Sequence, residues 1–191
     1  MATKKSTRIG IWVIAAVMLV GTLGSFAAMM IQPANDKIDQ QKAEEQLAQQ
    51  QEMQRIAAEE RAKTTEPLDG YTAEKFDGES VDELQKEVLV AGEGAVLKAT
   101  DSINVSYFGW LADGRIFDSS KISGNNTPID IPLNGVIEGW TEGIVGEKVG
   151  STIKLVIPAD KAYGPQASGI IPANAPLAFI LRIHNLSEPT E

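Results

Sequence analysis

The alternation of hydrophobic and polar positions changes character several times along this chain. Ile9 to Ile31 carries no charged residue. As a helix it would extend roughly 35 Å, enough to cross a bilayer core. Asp36 to Lys63 is rich in Ala, Gln, Glu and Lys and has neither Gly nor Pro, a composition that favours helix. Its larger apolar residues, Ile38, Leu47, Met53 and Ile56, do not recur as heptads, so a polar helical spacer is expected, with weak dimerisation as the alternative. The acid–base pairs Glu52/Arg55 and Glu59/Lys63 fit a solvated helix. Thr64 to Ser80 holds Pro67, Gly70 and Gly78 among polar residues and reads as a linker. Ser80 followed by Glu83 fits a capping box opening a short helical turn.

From about Leu84 the period falls to two. Ile103, Val105, Tyr107 and Leu111 share one face of a strand. Ile153, Leu155 and Ile157 share a face of another, as do Leu177, Phe179, Leu181 and Ile183 of the last. Such alternation predicts half-buried antiparallel strands. After Asn134-Gly135, the residues Val136, Ile137, Trp140 and Ile144 fall at helical spacing. One short helix covering one face of an antiparallel sheet makes an α+β domain.

The net charge of −9 argues against a nucleic-acid partner, whose phosphates demand clustered Lys and Arg. The chain has no cysteine and one histidine, which removes thiol chemistry and disfavours zinc; no metal and no cofactor is expected. That histidine, His184, alternates with Arg182 onto the face opposite Phe179 and reads as a solvated strand residue. No Gly-x-Ser-x-Gly elbow is present, and Gly92-Glu93-Gly94 lacks the third glycine of a dinucleotide loop.

What remains is a set of aromatics. Tyr107 and Phe179 point to the covered face of their strands, and Trp140 lies on the buried side of the short helix. Phe117 and Tyr163 stand at strand-to-loop transitions. Each alone reads as core. Together, at strand ends beside turn glycines and acids, they suggest a shallow aromatic pocket suited to a flat, apolar, polar-edged ligand such as a proline ring with its amide.

The surrounding motifs are Val105-Ser106-Tyr107-Phe108-Gly109, Asp113-Gly114-x-x-Phe117-Asp118-Ser119-Ser120, Val136-Ile137-x-Gly139-Trp140-x-x-Gly143, Ala162-Tyr163-Gly164 and Gly169-Ile170-Ile171-Pro172. In order and spacing the chain resembles the FKBP family of peptidyl-prolyl cis–trans isomerases over roughly Leu84 to Leu186. The resemblance implies a five- or six-stranded antiparallel sheet wrapped around the short helix, and X–Pro bond rotation as the activity. It places Trp140 at the pocket floor and Tyr107, Phe117, Val136, Ile137, Ile171 and Phe179 in the walls. The Ile137 N–H and the Tyr163 hydroxyl would hold substrate carbonyls, and Asp118 would sit at the rim near the Tyr107 hydroxyl. Simple alternation puts Asp118 opposite Phe117, so that role requires a bulge there. Two departures stand out: Ile129 occupies a position that is aromatic in many members, and the loop Pro165-Gln166-Ala167-Ser168 is short. A binding module that holds proline-containing segments without catalysis is the competing function. Macrolides such as rapamycin are implied ligands beside proline-containing polypeptides.

The expected organisation is a cytoplasmic N-terminus (1–8), a transmembrane signal-anchor helix (9–31), a polar helical spacer (32–63), a linker (64–83) and the FKBP-like domain (84–191). Basic residues flank only the N-terminal side of the apolar run, which places the C-terminal domain outside the cytoplasm. A cleaved signal peptide ending near Ser25-Phe26-Ala27 is the alternative; the run is longer than the usual signal core. The sequon Asn104-Val105-Ser106 inside a predicted strand inclines the reading to a bacterial envelope. A monomer is expected, with weak pairing through the spacer.

Overall fold

The computed structural model describes residues 36–187. The expected membrane segment at 9–31 lies outside them, and among the described residues no helix is long and apolar enough to cross a membrane. The described residues fall into two units that divide between Leu47 and Ala48, and everything that forms the site lies in the second. Helix α1 runs over Asp36–Ala62, close to the range its composition predicts. Arg55 pairs with both Glu52 and Glu59, and Lys63 pairs with Glu60 rather than with Glu59.

The strands are β1 (Gln85–Val90), β2 (Ser102–Leu111), β3 (Ile116–Ser119), β4 (Lys121–Ile122), β5 (Asn125–Asn126), β6 (Ile129–Pro132), β7 (Thr152–Ile157) and β8 (Leu177–Ser187); helix α2 is Glu138–Ile144. Six strands form one sheet in the order β1-β7-β8-β2-β3, with β6 beside β3 on the same edge of β2. All pairs are antiparallel, as the alternation predicts. Strands β4 and β5 make a separate hairpin.

The inner face carries the core. Ile103, Val105, Ile153, Leu155, Leu181 and Ile183 pack there with Ile144 of α2. The helix comes close to the sheet because two of its residues have no side chain. A Cβ on Gly139 would stand 2.3 Å from Ile157, and one on Gly143 would stand 2.6 Å from Leu155. The helical turn begins later than the spacing of Val136 and Ile137 suggests: those residues enter the helix in extended conformation, with Ile137 as its N-cap.

Three expectations need correction. Strand β2 is buried on both faces rather than half-buried. Its outward residues Phe108 and Trp110, with Val156, Ala178 and Ile180, form a second apolar cluster. The segment read as a linker covers that cluster. Leu68 is 1% exposed, and Tyr71, Ala73, Phe76 and Val81 pack beside it. The Trp110 indole donates to the Glu74 carbonyl at 2.8 Å, and the Phe76 N–H donates to the Ala112 carbonyl at 3.1 Å. Arg182 lies over the Tyr71 ring, 5.7 Å from its centroid. An arm with glycine, proline and polar residues therefore acts as a third layer, because the outer sheet face is too apolar to leave in water. Within the arm the short turn spans Gly78–Ser80 and is capped by Asp77, whose carboxylate accepts from the Glu79 N–H at 3.1 Å; Ser80 ends the turn instead of opening it.

Candidate functional site

Strand β2 supplies the centre of the site. Gly109 lies where the rings of Phe117 and Phe179 converge. A Cβ there would stand 2.6 Å from Phe117 and 2.5 Å from Phe179, so only glycine leaves room for the two rings. Phe179 meets Phe117 edge to face at 5.5 Å between centroids and Trp140 edge to face at 5.2 Å. Tyr107 meets Trp140 in the same manner at 5.4 Å. These are favourable quadrupole geometries for aromatic pairs, and they fix the four rings relative to one another.

The bulge that Asp118 requires is present. The β2–β3 pairing runs Phe108↔Ser119 and Gly109↔Asp118, then jumps to Trp110↔Ile116, which leaves Phe117 as the extra residue. Phe117 thereby turns into the aromatic cluster while the Asp118 carboxylate reaches the Tyr107 hydroxyl, which donates to Oδ2 at 2.5 Å. The two serines that follow secure the bulge. The Tyr107 N–H donates to Ser120 Oγ at 2.9 Å, the Ser120 N–H donates to the Tyr107 carbonyl at 2.8 Å, and the Ser119 N–H donates to Asp118 Oδ1 at 2.9 Å.

Burial, then the charge of Asp118 and its hydrogen bond, hold the pKa of Tyr107 well above that of a free tyrosine. The phenol is therefore a neutral donor at physiological pH. Tyr163 is also raised, by desolvation first and by the Asp118 charge second.

Of the expected pocket residues, Tyr107, Phe117, Trp140, Ile171 and Phe179 are buried in one cluster, and Ile129, Val136 and Ile137 pack against it half-buried. Tyr163 stands apart from the cluster, 42% exposed, after the turn Ala159–Lys161. The Ile137 N–H finds no backbone acceptor among the described residues. The Trp140 indole N–H is buried without a partner there. Both donors belong to the start of α2: Ile137 is its N-cap and Trp140 stands in its first turn. His184 lies on the outer face as expected, exposed, with its Nε2 2.7 Å from Ser106 Oγ.

One residue was not foreseen. Arg61, in the last turn of α1, places its guanidinium 2.8 Å from Asp118 Oδ1. Its sequence setting is that of a solvated helix, and nothing in the local pattern points to a partner so distant along the chain.

The comparisons with known proteins converge on this domain. Residues 93–184 match the family model described as FKBP-type peptidyl-prolyl cis-trans isomerase. The domain belongs to the FKBP family. The chain is 46% identical over 106 residues to the FKBP-type peptidyl-prolyl cis-trans isomerase FkpA of Aeromonas hydrophila, covering 56% of this chain and 39% of that protein. It is 40% identical over 105 residues to the outer membrane protein MIP of Legionella longbeachae, covering 54% of this chain and 43% of that protein. The chain thus spans about two fifths of the length of these curated relatives. A peptidyl-prolyl cis-trans isomerase from Pseudomonas syringae pv. tomato is similar in structure, with a TM-score of 0.50 and 28% identity, over 72% of this chain and 96% of that one. The FKBP domain as matched begins well after Arg61 and the arm.

Proposed function

We propose that this protein catalyses cis–trans isomerisation of X–Pro peptide bonds without a covalent step. The observation that carries this reading is the ring cluster of Tyr107, Phe117, Trp140 and Phe179 with the Tyr107–Asp118 hydrogen bond at its rim. An amide resists rotation by about 18–20 kcal/mol because resonance gives its C–N bond double-bond character. An X–Pro bond keeps a large barrier and exchanges over tens of seconds or more. At the twisted transition state resonance is lost and the carbonyl is less polar. An apolar pocket favours that state over the planar, more polar amide. In this reading the proline ring rests on Trp140, between Tyr107, Phe117 and Phe179, with Val136, Ile129 and Ile171 as further wall. The free Ile137 N–H and the Tyr163 hydroxyl hold the flanking carbonyls while the bond turns. Macrolides such as rapamycin fit the same apolar floor.

The substrates we propose are proline-containing polypeptides outside the cytoplasm, with the chain held at the membrane by Ile9–Ile31. The one-sided basic flank supports this, as does the similarity to a relative named as an outer membrane protein. The full chain, assayed on a short proline peptide, is expected to accelerate approach to the cis–trans equilibrium, and rapamycin is expected to abolish the acceleration. Binding of the peptide with no acceleration would replace this reading with that of a proline-segment binder.

A further inference from the structure

We propose that Arg61 is a positioning and specificity-determining residue of this site, supplied by the helix that precedes the FKBP domain; the proposal rests on the proline-peptide reading above. The last turns of α1 meet the domain at two points. On one side the Arg61 guanidinium binds Asp118 Oδ1 at 2.8 Å, while the same carboxylate accepts the Tyr107 hydroxyl on Oδ2. On the other, a Cβ on Gly169 would stand 2.8 Å from the Ala58 Cβ, so the helix lies directly against the loop that leads to Ile171. The end of α1 therefore packs against both the rim carboxylate and the loop that leads to Ile171.

That helix end is pinned. Thr64 Oγ1 donates to the Arg61 carbonyl and Thr65 Oγ1 to the Ala62 carbonyl, each at 2.9 Å, which closes the helix end. The next residues are stitched to the hairpin that continues from Asp118. The Ser123 N–H donates to the Thr64 carbonyl at 3.0 Å, the Glu66 N–H donates to the Lys121 carbonyl at 3.0 Å, and Ser119 Oγ donates to the Glu66 carbonyl at 2.7 Å. Arg61 is thus delivered to Asp118 by a chain segment anchored beside it, and the helix end does not rely on one half-exposed ion pair to stay there.

One consequence follows for a bound peptide. The guanidinium balances the Asp118 charge at the rim, and without it a lone carboxylate faces the substrate. Charges on the peptide within a Debye length of about 8–10 Å respond to that difference. In addition, Arg61 Nε is buried and has no acceptor among the described residues. A buried unpaired donor is costly, so the guanidinium is held in place by its Asp118 partner rather than by hydrogen bonds of its own.

The test uses the full chain as wild type, Arg61→Gln and Arg61→Lys, with three peptides that differ only in carrying Glu, Ala or Lys before proline. Affinity is read by calorimetry and turnover as kcat/KM. For Arg61→Gln, both are expected to fall about fivefold for the Glu-Pro peptide and least for the Lys-Pro peptide, since the rim gains one net negative charge. Arg61→Lys keeps the charge but loses the two-pronged guanidinium; it is expected to restore the wild-type order of peptides with turnover only partly recovered. Glutamine is a good helix former, and circular dichroism checks that the fold is retained. An equal loss for all three peptides, or none, would overturn the role of Arg61. Calorimetry keeps the test separate from the isomerase reading, because a protein that binds without turnover still reports the dependence on peptide charge. A wild type that neither binds nor turns over any of the peptides overturns both.

Discussion

Gly109 sits beneath the rings of Phe117 and Phe179, with no space for a Cβ against either. Three residues from different parts of the sequence thus converge on one point of β2, and the aromatic cluster depends on the smallest of them. Gly109→Ala would force both rings to move. Overpacking of this kind costs about 1–3 kcal/mol. We expect the unfolding free energy measured in urea to fall by that amount and isomerase activity to be lost in the protein that remains folded. Normal activity in Gly109→Ala would mean that the ring arrangement is not needed for catalysis.

The arm at 66–81 should behave as part of the folded domain. A fragment beginning at Val81 strips Leu68, Tyr71, Ala73 and Phe76 from the cluster of Phe108, Trp110 and Ile180. Each large apolar side chain that regains water costs roughly 1.5–3 kcal/mol. The fragment is expected to unfold at markedly lower urea concentration than one beginning at Ala48, and to aggregate. Equal midpoints for the two would show that the outer face does not need the arm.

The parts of this architecture that the sequence announces are those with a period. The inner faces of β2 and β8 follow from Ile103, Val105 and Tyr107 and from Leu177, Phe179 and Leu181, and α2 follows from Trp140 and Ile144. The need for a bulge at Phe117 also follows, because strict alternation cannot turn Phe117 and Asp118 to the same site. The outer cluster is harder to read. Phe108 and Trp110 interrupt the polar phase of β2, but their cover comes from Leu68, Tyr71 and Phe76, whose irregular spacing in the arm carries no periodic signal. Arg61 is harder still. Its partner Asp118 is far along the chain, and an ion pair formed by tertiary docking leaves no mark on local composition.

Tyr107 gives a pH signature. Its folded pKa lies well above the ordinary tyrosine value of about 10. The native state therefore holds the phenolic proton where the unfolded chain has released it. By linkage, the stability contributed by this group is complete below about pH 10 and is lost as pH rises through the folded pKa. Urea unfolding of wild type and Tyr107→Phe across this range should show the wild-type advantage shrinking with rising pH. A constant difference between the two would place the Tyr107 phenol in water.

Trp140 and Trp110 offer an optical test of the pocket floor. In a fragment beginning at Ala48 they are the only tryptophans. Trp140 lies in the ring cluster, whereas Trp110 stacks on Phe108 on the other face of the sheet, centroids 5.0 Å apart. Fluorescence should change when a proline peptide binds, and the change should survive Trp110→Phe and vanish in Trp140→Phe. The opposite outcome would move the binding site to the outer face.

The rate of X–Pro isomerisation in the wild type and in the double variant Phe117→Ala/Asp118→Ala tests the pocket most directly. Phe117 supplies one wall of the apolar pocket, and Asp118 fixes the Tyr107 hydroxyl at its rim. Loss of both should admit water and loosen the geometry in which the amide twists. We expect a fall of at least tenfold in kcat/KM, about 1.4 kcal/mol of barrier, with native circular dichroism retained. Equal rates for a folded double variant and the wild type would contradict the assignment of the catalytic pocket to these residues.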